Sequence, residues 1–446
     1  MIGRLLGGLA AASLAATAAA QTSGATVALT VEEAVARARE ASPTLVALGE
    51  REAAAGEAQR GANAERLPRI DARAGYTRWS DVPEFSTFDP TTGEETVIFP
   101  NLPDNFLARV DLRAPLYVGG RTASLERAAT EQVEAVRRER DAAVHDVRFE
   151  TERAYWNLAL TRDSSRVLGE SLAAYEAHLA DARNFERVGM APRSEVLRVE
   201  VERDRAELER IRAESAARIA QADLARLVDV ALGTTITTVD PIDAPAEPAE
   251  PLDALLAEAA AHRPEREALA ARARALDASA EAERAAARPH ASLAAGYEYA
   301  DPQRRIVPPE SGWNDAWDVG VALTMRLWDG GRTKAAAARV THETAAVRAQ
   351  LDELDRRIGL EVLARREELL AASAAVEVAD RGVASAREAV RVAGERYRAG
   401  VLPSSELLDA ETALLIAGLD RVRAWAEVRI ARAALDRAVG RVSETP

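Results

Sequence analysis

The sequence predicts an α+β protein made of two tandem structural repeats, in which long helices follow β-hairpins. Three observations lead to this fold class. The phrase RVGMAPRSEVL begins at Arg187 and returns as RAGVLPSSELL at Arg398, 211 residues later. Two segments alternate apolar and polar residues with a period of two, which is typical of strands with one apolar face. Each is followed by a long segment without proline, which favours uninterrupted helix.

The duplication extends beyond this phrase. LRAPLYVGGRT (112–122) and LTMRLWDGGRT (323–333) are identical at six of 11 positions and have the same offset. Upstream, LPRIDARAGY (67–76) matches RPHASLAAGY (288–297) at an offset ten residues larger. The first repeat is therefore expected to have a longer loop between its two strands.

The first repeat, residues 21–239, begins with a predicted helix whose start is marked by the capping-box spacing of Thr30 and Glu33. Apolar residues then alternate from Phe106 to Leu116, which predicts a strand, and an upstream segment supplies its partner. The long helix and its return helix follow. The predicted elements are helix 31–66, strands 69–79 and 106–117, long helix 120–187 and return helix 193–230.

A proline-rich link, residues 240–251, joins the first repeat to the second, residues 252–446. The second repeat has the same order of elements. Its long helix is indicated by the absence of proline between Pro309 and Pro403. The predicted elements are helix 252–287, strands 290–300 and 317–328, long helix 332–398 and return helix 404–440, with hairpin loops at 300–316 here and at 80–105 in the first repeat.

The aromatic residues bear on what the hairpins face. Segments 76–117 and 297–328 hold 12 of the 19 aromatic residues of the chain. Strands with one apolar face and aromatic ends suit a membrane barrel with aromatic girdles. A soluble hairpin packed on helices explains the strands alone equally well. The long helices favour the barrel, because at 1.5 Å per residue each spans roughly 100 Å.

The repeated phrase reads as the tip of a helical hairpin. Gly189 and Gly400 stand where a helix ends, and glycine adopts the left-handed conformation required there. Pro192 and Pro403 suit the first turn of the next helix. A capping role accounts for the residues that follow, Ser194-Glu195 and Ser405-Glu406.

The four strands predicted for one chain cannot close a membrane barrel, since the smallest such barrels have eight strands. Three chains would supply 12 strands with an open lumen and 12 helical segments for a hollow cylinder. A trimer therefore predicts one continuous duct.

At this point the sequence resembles the TolC family of outer-membrane efflux and secretion channels. The resemblance covers the chain after residue 20 and rests on the duplicated plan, on PLYVGGR and RLWDGGR, and on the paired R-x-G tips. It implies an α+β membrane protein, a homotrimer with a 12-stranded barrel in the lipid of the outer membrane and a 12-helix tunnel in the periplasm. It also implies that the second pair of long helices untwists to open the periplasmic end, and that an adaptor links the tips to an inner-membrane pump.

The resemblance also assigns gate residues. Glu406 and Asp409 align with an acidic pair that lines the closed entrance, so three chains would place six carboxylates in one constriction, which attracts cations. In the first tip, Glu195 aligns with an acidic position and Arg198 replaces the second carboxylate. We expect Arg198 to lie near Glu406 or Asp409 and to help hold the gate shut. Leu402 departs from the family pattern, where relatives carry a basic residue.

The tips are the expected adaptor-binding surface. Paired glycines at the strand-to-helix junctions are read as turns and not as nucleotide loops. The tip residues are Arg187, Gly189, Pro192, Ser194, Arg398, Gly400, Pro403 and Ser405, and the junction residues are Gly119, Gly120, Gly330 and Gly331.

Composition argues against other classes of function. The net charge of −14 argues against nucleic-acid binding. The chain has no cysteine, and its five histidines lie at no metal-ligand spacing, so we expect no enzyme activity, no catalytic residue, no metal site and no cofactor. Residues 1–20 resemble a cleaved secretory signal, which suits an outer-membrane location. The alternative is a soluble periplasmic coiled-coil adaptor or scaffold. The transported substrate cannot be read from the sequence.

Overall fold

The computed structural model of the chain describes residues 26–244 and 249–441. The predicted signal segment, residues 1–20, and part of the predicted link lie outside the described residues. The chain divides into two compact units. The first comprises residues up to Ser42, Asp146–Ala249 and Arg365–Asp436, and the second comprises Pro43–His145, Glu250–Ala364 and the residues from Arg437 onward.

Helices make up most of both units. Among the described residues, no helix combines the length and the apolar character needed to cross a membrane. The predicted capping box is confirmed, because the Thr30 hydroxyl accepts the Glu33 N–H and the Glu33 carboxylate accepts the Thr30 N–H. The helices are α1 Val31–Ala41, α2 Pro43–Ala64, α3 Arg121–Arg187, α4 Arg193–Leu227, α5 Leu252–His262, α6 Pro264–Ala285, α7 Arg332–Arg398 and α8 Ser404–Val439.

The helices predicted over 31–66 and 252–287 are each two helices, which corrects both predictions. The first is broken at Ser42 and the second at Arg263, and each of these residues directly precedes a proline. Both have extended backbone, with ψ of 114° and 112°. A proline disfavours the α region for the residue before it through a steric clash. The break occurs at equivalent places in both repeats, so it belongs to the duplicated plan.

Strands form three sheets in the described chain. Two strand pairs were not predicted: parallel β1–β6, and the hairpin β3–β4, which lies inside the predicted loop 80–105. The strands are β1 Thr26–Leu29, β2 Arg69–Arg78, β3 Phe85–Phe88, β4 Glu95–Phe99, β5 Asp104–Tyr117, β6 Thr235–Thr238, β7 His290–Asp301 and β8 Asn314–Thr324.

Two predicted elements have boundaries that are wrong by three residues or more. The strand predicted over 317–328 is β8, which starts three residues earlier and ends at Thr324. It ends there because Thr324 pairs with His290, the first residue of β7, and no partner backbone follows. The return helix predicted over 193–230 ends at Leu227, two residues before Asp229, which has a positive φ of 52°.

The largest sheet lies in the second unit and combines both repeats. Its order is β2-β5-β7-β8, and every neighbouring pair is antiparallel. Alternation gives the sheet one apolar face, which is largely exposed in the single chain. Its exposed members include Ile70, Tyr76, Phe106, Val110, Tyr297, Tyr299, Trp317, Val319, Val321 and Leu323.

The first unit contains a buried core around β1 and β6. Tyr155 of α3 is fully buried there together with Leu29, Leu224 and Ile236. The Tyr155 hydroxyl accepts the N–H groups of Val239 and Asp240 at 3.0 and 3.1 Å. Burial raises the pKa of Tyr155, and its O–H has two acceptors within reach, the Asp240 carboxylate at 2.8 Å and the Leu29 carbonyl at 3.0 Å. The core thus joins chain segments that are distant in sequence.

Candidate functional site at the helix tips

The two helix tips, residues 187–195 and 398–406, have matching backbone geometry. Gly189 and Gly400 have φ of 76° and 71°. The Gly189 N–H donates to Glu186 and the next N–H to Phe185, at 3.0 and 2.8 Å. In the second tip the Gly400 N–H and the following N–H make the equivalent bonds at 2.9 and 3.0 Å. Both helices therefore end in a Schellman motif, which requires a left-handed residue at this position.

The next helix also starts in the same way at both tips. The N–H groups of Glu195 and Glu406 donate to the carbonyls of Pro192 and Pro403, each at 3.1 Å. The sequence predicted that Pro192 lies in the first turn of the next helix. It instead has extended backbone and occupies the N-cap position, directly before α4. Both glutamates lie in first turns, where the helix dipole favours a negative charge.

The acidic pair of the second tip lies on the open side of α8. Glu406 and Asp409 are exposed in the single chain, whereas Leu407 and Leu408 are buried. A helix rotates 100° per residue, so the buried and exposed sets occupy different sides. The structure thus leaves both carboxylates available on one surface.

The first tip has a different arrangement. Glu195 is half-buried and Arg198 is exposed on the following turn of α4. Within residues 26–244 and 249–441, no ion pair joins Arg198 to Glu406 or Asp409. The expected contact of Arg198 with the acidic pair is not present within the single chain and stays a prediction.

The arginines of the repeated phrase make local contacts. Arg187 donates to the Asn184 side chain at 2.9 Å. Arg398 lies 4.0 Å from the carboxylate of Asp181 on α3. Both arginines, together with Ser194, are exposed, and Ser405 is half-buried. The tips therefore present polar, largely accessible surfaces.

A buried hydrogen-bonded network near the second tip was not predicted. His178 of α3 lies between Glu411 and Ser404 of α8, with Nδ1 2.8 Å from the carboxylate and Nε2 3.0 Å from the hydroxyl. The side chain of His178 is 1% exposed and that of Glu411 is 9% exposed. The network fastens the first two turns of α8 to α3.

Aromatic contacts extend this network. The ring of Tyr397, at the end of α7, packs edge-on against His178 and Phe185 at centroid distances of 5.0 and 5.3 Å. One turn further from the tip along α3, the Tyr175 hydroxyl lies 3.1 Å from the Thr412 hydroxyl. Helices α3, α7 and α8 are thus joined by buried polar and aromatic contacts. These contacts fix the rotation of α8, and so the direction in which Glu406 and Asp409 point.

The duplication contains one signal for this network. Glu200 and Glu411 are 211 residues apart and lie three residues beyond the repeated phrase, so they are equivalent positions. Each binds α3 in the structure: Glu200 accepts from Arg183 at 2.7 Å, and Glu411 contacts His178. The duplication indicates the two glutamates but not their hydrogen-bond partners on α3, because these partners differ between the two repeats.

The strand-to-helix junctions, in the second unit, are tight turns as predicted. Gly119, Gly120, Gly330 and Gly331 have φ of 64°, 86°, 68° and 90°. The Gly119 carbonyl accepts from the Arg288 guanidinium at 2.7 Å. These glycines adopt the positive φ that the strand-to-helix turns require.

No group of three or more potential metal ligands occurs among the described residues. The helix tips therefore offer charge, hydrogen-bonding groups and shape.

Comparison with known proteins agrees with this geometry. The model of a family described as outer membrane efflux protein matches residues 34–229 and 255–441, most of the chain. The chain belongs to the outer membrane efflux protein family. It is accordingly an efflux channel of the outer membrane. A search of curated proteins by sequence gives no significant match.

Several solved structures of outer-membrane channels share the fold. The outer membrane protein VceC from Vibrio cholerae is 20% identical with a TM-score of 0.75, and covers 92% of this chain and 96% of its own. CusC, whose structures concern transmembrane channel formation, is 16% identical with a TM-score of 0.77 and 92% coverage of both chains. The open-state MtrE channel of Neisseria gonorrhoeae is 19% identical with a TM-score of 0.75, covering 92% of this chain and 88% of its own.

Proposed function

We propose that three copies of this chain form one passive duct for efflux, with a 12-stranded barrel in the outer membrane and a tunnel of 12 helical segments in the periplasm. The observation that carries this proposal is the four-stranded sheet. Its apolar face is exposed, and its outer strands β2 and β8 each have one neighbour in the described chain. Open strand edges pair readily with other strands. Joining β2 of one copy to β8 of the next three times closes the sheet.

The return helix α4 supports the same assembly. The apolar residues Leu197, Val201, Leu208 and Ile211 are about half exposed in the single chain. An apolar stripe at this spacing suits packing against another helix. In the proposed trimer, a neighbouring copy covers this stripe.

Glu406 and Asp409 are proposed as the periplasmic gate, with Arg198 of a neighbouring copy as a restraining partner. Three copies would bring six carboxylates to one constriction, where a ring of negative charge favours cations. The tips are proposed to bind a periplasmic adaptor that connects the channel to an inner-membrane pump. A type I secretion role remains open on the same geometry. The alternative, a soluble periplasmic adaptor, is not supported by the family match.

Conductance of the purified protein in a planar bilayer tests the proposal. We expect a small, cation-selective conductance from the native chain. The double variant Glu406→Gln/Asp409→Asn should lose much of that selectivity, because it removes six charges from the constriction. Asp420→Asn serves as the control, since Asp420 is an exposed carboxylate further along α8. A monomer that forms no channel would refute the duct, and a selective double variant would refute the gate.

A further inference from the structure

A cluster of charged residues spans the polar face of the large sheet in the second unit. Its centre is Arg109 of β5, whose side chain is 19% exposed. The guanidinium contacts Asp111 on its own strand at 2.8 Å, Glu298 of β7 at 3.2 Å and Asp318 of β8 at 3.0 Å. One arginine thus binds three carboxylates on three neighbouring strands.

The backbone is adapted to this arginine. Gly296 of β7 lies opposite Asp111 in the register. A Cβ on Gly296 would overlap the guanidinium of Arg109 and lie 3.1 Å from the Asp318 carboxylate. Only glycine leaves room there for the side chain to cross from β5 to β8. The cluster therefore joins a strand of the first repeat to both strands of the second.

Two further arginines complete the cluster. Asp111 is also bound by Arg73 of β2 at 2.9 Å, and Asp318 by Arg305 at 3.5 Å. Three positive charges thus face three negative charges. Of the three carboxylates in the cluster, Glu298 is the one whose single cationic partner among the described residues is Arg109. Charge balance at Glu298 depends on this one partner.

We propose that this cluster is a charge-balanced girdle that faces the lumen of the barrel and keeps the barrel section of the duct from selecting strongly between cations and anions. The inference rests on the proposed trimeric duct, in which the apolar face of the sheet contacts lipid and the opposite face lines the lumen. Because its charges cancel, the girdle adds little selectivity of its own. Arg109 is the residue that determines this neutrality.

The consequence is specific to each charge. Replacing Arg109 by glutamine leaves Arg73 on Asp111 and Arg305 on Asp318, while Glu298 becomes unpaired. Three copies then place three unpaired carboxylates around the lumen, which concentrates cations there. Replacing Glu298 by glutamine leaves an excess of positive charge instead. The double replacement restores the balance.

The experiment measures the cation-to-anion permeability ratio in planar bilayers for the native channel and four variants. Arg109→Gln should raise the ratio about threefold or more, and Glu298→Gln should lower it. Arg109→Gln/Glu298→Gln should return close to the native ratio. Arg109→Lys should keep the ratio, because it keeps the charge, but should lower the temperature at which the trimer dissociates, because lysine lacks the planar fork.

The outcomes separate this inference from the proposed function. A conducting channel whose ratio is the same in Arg109→Gln and Glu298→Gln would overturn the girdle and leave the duct intact. Absence of any channel in the native protein would overturn the duct. If Arg109→Gln fails to fold, Glu298→Gln still tests the girdle, since it leaves the contacts of Arg109 with both aspartates.

Discussion

The buried network at His178 predicts that the second helix tip is held in place from α3. In the variant His178→Ala, α8 loses both hydrogen bonds to α3 made by this residue, at 2.8 and 3.0 Å. The ring contact with Tyr397 at 5.0 Å is lost as well. Glu411 remains buried without its partner. We expect the first turns of α8 to be released more readily, and the channel to open more often.

The magnitude follows from these contacts. Each hydrogen bond contributes about 1 kcal/mol net, and the aromatic pair about 0.5–1.5 kcal/mol. Removing the partner of a buried hydrogen-bonding group costs about 1–3 kcal/mol, because that group stays desolvated. In a released tip, water reaches Glu411 and that cost disappears. If about 2 kcal/mol of this desolvation cost destabilises only the held state, the ratio of released to held tips rises about 30-fold.

Single-channel recording gives this ratio as the frequency and duration of open events. Glu411→Gln should have a smaller effect than His178→Ala, because an amide still hydrogen-bonds to the ring. His342→Ala is the matched control, since His342 is an exposed histidine of α7 in the second unit. Open probability that is the same in His178→Ala and in His342→Ala would show that the network does not restrain the tip.

Two further predictions concern stability, measured by thermal unfolding in detergent. Gly330→Ala should cost about 1–2 kcal/mol of stability for its left-handed backbone alone, because nothing lies within 4 Å of the new Cβ. Gly119→Ala should cost more, because its new Cβ would lie 2.7 Å from the Arg288 Cβ. Equal losses of stability in the two variants would contradict this reasoning. Burial raises the pKa of Glu152 above its ordinary value despite its ion pair with Arg148 at 2.7 Å. The folded protein therefore holds this proton up to a higher pH than the unfolded chain, so the contribution of Glu152 to stability falls as pH rises through its folded pKa. Glu152→Gln should flatten that dependence at pH values above the ordinary pKa of a glutamate carboxyl, about 4.3, and parallel pH profiles of the two proteins would refute the assignment.

Local patterns account for what the sequence predicted well. The two 67-residue helices start within one residue of the predicted positions and end where predicted. Glycine and proline mark each end, and these residues act on the backbone within a few residues. The same rule, applied to Pro43 and Pro264, predicts the two helix breaks at Ser42 and Arg263.

Long-range pairings explain what could not be predicted. Strands β1 and β6 have four residues each and are 209 residues apart, so neither has a pattern long enough to indicate its partner. His178 and Glu411 are 233 residues apart. Arg109 illustrates the intermediate case, because alternation placed it on the polar face of its strand. Only the register of β5, β7 and β8 brings its three carboxylates together.

The equivalent residues Glu200 and Glu411 show where the two repeats have diverged. Glu200 pairs with Arg183, whose side chain is 53% exposed, and such surface pairs contribute about 0–1 kcal/mol. Glu411 makes a buried network with His178 and Ser404, and leaving a buried group without its partner costs about 1–3 kcal/mol. At this pair of equivalent positions, the second return helix is therefore held to α3 more strongly than the first. The proposed gate at Glu406 requires a restraint on the part that moves, and the stronger of these two contacts lies in the same return helix as Glu406.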